Sequence, residues 1–218
     1  MKASFMKKPY KDFSEKRPYI FPWIKANIGN DDTSLKPYEP LGKFIVESNK
    51  SEFAGEELEL FGVQFVGDLI VLFAYDDPDD SSSVSLIFKN ELPEDFTEEK
   101  LISLSIENLL REITFELFPT NFGGCMLVAD GNYEVAALLC QSSVEFVTQY
   151  LKDDLIITAP AKAALFFAPS SNRQAIEKMK LVASDILNDE IKALSTCLFY
   201  FDKERKKLGT GTEVAGSE

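Results

Sequence analysis

The chain has 218 residues, 23 Lys and Arg against 36 Asp and Glu, 45% hydrophobic residues and no histidine, which gives a net charge of −13 and a pI near 4.6. That length suits one medium domain or two small ones, and the composition is that of a globular protein. Without histidine the chain cannot build a Ser-His-Asp or Cys-His hydrolase or an imidazole zinc site, so acid–base chemistry falls to carboxylates, lysine, tyrosine or thiols.

The first 18 residues are rich in Lys, Tyr and Pro and read as irregular. Phe21-Pro22-Trp23-Ile24 adds apolar weight, as a docking segment or a strand edge would, and Phe44-Ile45-Val46 is a brief strand pattern. Val63–Val66 and Asp68–Tyr75 flank Gly67 and predict a strand or a bent pair of strands. The acidic run Asp76–Asp80 and three serines form a polar loop before the strand pattern Val84–Phe88, which together predict a hairpin.

Thr97 can cap a helix whose Ile102, Ile106, Leu109, Leu110 and Ile113 fall on a helical period, over 97–113. Thr114–Leu117, Cys125–Ala129 and Tyr133–Leu139 read as strands. The last two are joined at Asp130-Gly131-Asn132, a hairpin-turn sequence because Gly and Asn tolerate positive φ. Ser142 and Glu145 have the spacing of a capping box opening a helix over 143–152. Strands at Leu155–Thr158 and Ala164–Ala168, a helix over 172–190 and a strand at Cys197–Phe201 complete the series. The hairpin connections predict an α+β fold with a mostly antiparallel sheet and three main helices. The expected organisation is a loop-rich segment 1–60 packing on the body, an α+β domain 61–202 and a flexible tail 203–218.

Charge is uneven. Residues 1–36 carry a net +4, residues 37–202 a net −18 and residues 203–218 a net +1. A body this acidic repels phosphate backbones, so no nucleic-acid partner is expected, whereas a basic protein would be attracted. The longest apolar run, Leu69–Tyr75, has seven residues against the ~18 of a membrane span, and no apolar stretch follows the first residues as in a leader. A cytoplasmic protein without membrane attachment is the expectation.

Cys125, Cys140 and Cys197 are odd in number and lack CxxC spacing, so buried reduced thiols are expected and no zinc. Gly123-Gly124 lacks the spacing of a dinucleotide fingerprint, and no phosphate-binding GxxxxGK[ST] loop occurs, so no cofactor is expected. Asp76, Asp77, Asp79 and Asp80 lack the spacing of a calcium loop and read as a solvated, negatively charged binding loop. Trp23, between Pro22 and Lys25, is either a core anchor or an aromatic recognition patch.

The stretch Leu127–Leu139 with its Asp-Gly-x-Tyr-Glu centre, the later Asp154–Pro160, Glu107-Asn108-Leu109 and Leu198-Phe199-Tyr200 together resemble the YtpQ-like bacterial family over roughly residues 60–202. The resemblance implies a bacterial cytoplasmic protein and brings no assigned activity. Where relatives carry an aspartate shortly after Ala-Pro this chain has Lys162-Ala163-Ala164, so no chemistry resting on that aspartate carries over.

Two functions follow from these residues. The first is a non-catalytic acidic protein-binding module, of the inhibitor or immunity type, that takes a basic partner through Asp76, Asp77, Asp79, Asp80, Asp130, Asn132, Tyr133 and Glu134. The alternative is a carboxylate-based enzyme acting on a small polar substrate or glycan, with Asp130 and Glu134 as acid and base.

Overall fold

A computed structural model describes residues 13–26, 60–76, 84–188 and 193–210. In chain order these form α1 (Phe13–Lys16), β1 (Ile20–Ala26), β2 (Gly62–Val66), β3 (Leu69–Asp76), β4 (Val84–Leu86), α2 (Glu98–Glu112), β5 (Glu116–Pro119) and β6 (Cys125–Val128). There follow a 3₁₀ turn (Val135–Leu139), α3 (Gln141–Leu151), β7 (Leu155–Ala161), β8 (Ala164–Pro169), α4 (Arg173–Leu187), β9 (Leu198–Asp202) and β10 (Lys207–Thr210). The fold is α+β, and every ladder between its strands is antiparallel.

The strands make two sheets. In the smaller one β3 lies between β1 on one side and β2 and β4 on the other; the larger runs β10-β9-β7-β8-β6-β5. Period-two alternation decides what each face of the larger sheet touches. Leu165 and Phe167 of β8 and Leu155 and Ile157 of β7 join the main core, with Val63, Val71 and Phe73 of the smaller sheet. Ala164, Phe166 and Ala168 point the other way, onto Ala175 and Met179 of α4. Alanines on both sides of that contact let the helix approach the sheet closely.

The three main helices lie where their apolar spacing predicts, and Thr97 and Asn172 cap two of them through their side-chain oxygens. Buried Asn108 of α2 donates to the carbonyls of Arg17 at 2.8 Å and Ile20 at 2.9 Å, which fixes the start of β1 against the helix.

Four sequence expectations change. Tyr133–Leu139 is not the second strand of a hairpin: Val135–Leu139 is a 3₁₀ turn. Glu134 folds back to accept backbone amides, so the chain reverses before a ladder can form. Ser142 does not cap α3; the helix follows directly from the 3₁₀ turn through Cys140, and Glu145 pairs instead with Lys206 at 2.8 Å. Residues 20–26, in a segment expected to be loop-rich apart from a docking segment or strand edge at Phe21–Ile24, form a full strand paired along β3, with Pro22 tolerated because β1 is an edge strand among the described residues. Residues 203–210, read as flexible, turn on the Asp202 carboxylate, which accepts from Glu204 and Arg205, and return as β10.

Candidate functional site

Alternation along β1 puts Phe21, Trp23 and Lys25 on one face of the strand. Tyr133 packs across that face, its ring centroid 5.2 Å from Phe21 and 5.9 Å, edge-on, from Trp23. The tyrosine is fully buried, and its hydroxyl donates to Asp76 Oδ2 at 3.1 Å. Burial first, then the negative charge of Asp76, pushes its pKa well above the ordinary tyrosine value, so it remains a donor at neutral pH.

The backbone beside Tyr133 is held by two carboxylates. Asp130 Oδ1 accepts from the amides of Asn132 at 2.9 Å and Tyr133 at 3.2 Å. Glu134 Oε1 accepts from Ala129 at 3.0 Å and Gly131 at 2.8 Å. Gly131 supplies the φ of +88° that this double turn requires. Glu134 is 2% exposed, and its Oε2 has no hydrogen-bond partner among the described residues. Asp130, Gly131 and Asn132 face solvent.

A lysine completes the corner. Lys162, at the tip of the β7–β8 hairpin, donates to Asn132 Oδ1 at 2.6 Å and places its ammonium 4.1 Å from the centre of the Trp23 ring. That distance is well inside the ~6 Å range of a cation–π contact. The Lys25 ammonium lies over the same ring at 5.8 Å. Burial and then repulsion from Lys25 hold Lys162 below the ordinary lysine pKa, while the charges of Asp130 and Glu134 act in the opposite sense.

The structure thus brings together Asp76, Asp130, Asn132, Tyr133 and Glu134, which the sequence places in two separate motifs. Asp77, Asp79 and Asp80 lie outside the described residues. Asp130 and Glu134 meet as the two clamps of one turn, each with a carboxylate oxygen already taken by amides. Trp23 belongs to this corner and packs partly against the core, as the anchor reading expects. Lys162 has no signal of its own in the sequence as a site residue. The pairing of a hairpin tip with β1 is a tertiary fact that no local motif encodes.

Elsewhere, Cys125 and Cys140 are buried and Cys197 half-buried, all three unpaired. Burial pushes the Cys125 thiol up to about 12 and the Cys140 thiol up to about 11, away from thiolate chemistry. Among the described residues no group of three His, Cys, Asp or Glu side chains could hold a metal, and no helix is long and apolar enough to cross a membrane. Comparison of the chain with protein-family models, with curated proteins and with solved structures gives no match.

Proposed function

We propose that this chain is a non-catalytic binding module, of the inhibitor or immunity type, that holds a basic protein partner at the corner built on Tyr133. One observation carries the reading: the corner already holds an ammonium group. Lys162 rests on the indole face of Trp23 and on the Asn132 carbonyl, beside the charges of Asp130 and Glu134. An aromatic face with carboxylates near it is a favourable seat for a cation, and for arginine above all because its planar guanidinium stacks. The acidic body adds a long-range field that speeds encounter with a basic protein. The amides that occupy Asp130 and Glu134 favour this reading over acid–base catalysis by the same pair. The bacterial, cytoplasmic setting of the role rests on the resemblance to the YtpQ-like family.

The test uses an oligoarginine peptide as the basic probe. The chain has one tryptophan, so its fluorescence reports on this corner alone. Binding should perturb Trp23 emission, and the association rate should fall steeply from low to physiological salt while dissociation changes little. Asp130→Asn should weaken binding several-fold, and the charge-matched Glu177→Gln on α4 should not. Equal effects of the two variants would reduce the interaction to net charge and remove the site.

A further inference from the structure

We infer that Lys162 is a resident occupant of the partner's seat, and that a partner binds by inserting a cationic side chain, arginine in particular, which displaces Lys162 from Trp23. This rests on the binding reading above and adds the chemistry of the contacting group and the step that admits it.

The geometry makes the lysine a stand-in and not a structural strut. Its ammonium has two described contacts, the indole face of half-buried Trp23 and one amide oxygen of exposed Asn132 at 2.6 Å. Asn132 and Ala163 on either side of it are exposed, so an incoming group reaches the seat without moving a strand. Lys162 stands in the two-residue turn between β7 and β8, where its side chain can swing into water while the ladder stays intact. Lys25 already approaches the same ring, so two cations share one indole and repel each other. Release of Lys162 uncovers the ring for the incoming cation, which meets the same neighbouring Lys25. A guanidinium can stack on that ring through its planar face, which an ammonium lacks, with the charges of Asp130 and Glu134 beside it and no need of Asn132.

A seat that is filled most of the time lowers apparent affinity by the fraction of molecules in which it is open. If Lys162 vacates it about a tenth of the time, emptying it permanently tightens binding about tenfold. The experiment measures oligoarginine affinity by Trp23 fluorescence in the full chain and four variants. Lys162→Ala empties the seat, and Asn132→Ala, at an exposed position and with no change in charge, removes the anchor of the lysine. Lys162→Arg keeps a cation in place, and Lys180→Ala on α4 removes one positive charge on the far side of the larger sheet.

Lys162→Ala and Asn132→Ala should tighten binding by about an order of magnitude. Lys162→Arg should not tighten it, and Lys180→Ala should give only a small change. Equal tightening by Lys162→Ala and Lys180→Ala with none from Asn132→Ala would overturn the displacement, leaving only net charge. Weaker binding by both Lys162→Ala and Asn132→Ala would also overturn it, since the lysine would then belong to the contact surface. If neither the parent nor any variant responds to the peptide, the binding function itself falls with it.

Discussion

Strand β6 is entered through one glycine turn and left through another, and different forces close them. At the entrance, Thr120 receives the turn: its carbonyl accepts from Gly123, its hydroxyl from Gly124, and its amide donates to the Gly124 carbonyl. A Cβ on Gly124 would lie 2.1 Å from the Phe167 carbonyl oxygen of β8, so this glycine exists to let two strands meet. At the exit, nothing among the described residues lies within 4 Å of a Cβ on Gly131, and the glycine is needed for its φ of +88°. The packing demand is replaced there by the carboxylates of Asp130 and Glu134. A turn closed by packing has no freedom to do anything else. A turn closed by its own side chains can stand in solvent and present Asp130 to a partner.

Substitutions can break this contrast in order of size. Gly124→Ala forces a methyl into a backbone carbonyl, and the strand must move; a loss of about 3 kcal/mol or more is expected in urea unfolding. A variant within 1 kcal/mol of the parent would show that β6 and β8 approach less closely than described. Glu134→Ala leaves two amides without their acceptor, at about 1–3 kcal/mol for each buried group, partly offset because the unpartnered Oε2 goes too. A net loss of about 2 kcal/mol is expected, again from urea unfolding, together with faster amide exchange at Gly131. Gly131→Val meets open space but a disfavoured φ, and should lose about 1–2 kcal/mol. Full stability in that variant would mean that the turn does not hold positive φ.

The contrast also explains what was legible in the sequence. The continuous apolar runs of β7 and β8 and the 3.6-residue period of α4 record burial, and those elements fall where the pattern puts them. Helix α2 also forms where expected, but it buries Leu101, Leu104, Ser105, Asn108 and Leu109 and leaves Leu110 exposed. The stretch after Asp130 carries a hairpin-turn signature, yet Glu134 captures the amides of Ala129 and Gly131 and turns the chain into a 3₁₀ segment. A side-chain clamp of that kind competes with the ladder and leaves the local alphabet unchanged. Strand β10 was hidden because Lys203–Lys207 has the composition of a solvated end, while its fold depends on pairing with β9. The site was half legible. Asp130, Asn132, Tyr133 and Glu134 stand out as a motif, and Lys25 two residues from Trp23 shares its face of β1. Lys162 reaches them only because the β7–β8 hairpin tip lies against β1, a contact set by how the two sheets pack.

A binding module of this kind receives its partner's cation on Trp23. That contact is tested most directly by the indole N–H resonance of this one tryptophan in ¹⁵N-labelled protein as oligoarginine is added. This resonance and the amides of 130–134 and 162 should shift first and saturate together, while those of α4 stay in place. Saturating shifts confined to α4 or to α2, with the Trp23 indole unmoved, would contradict it.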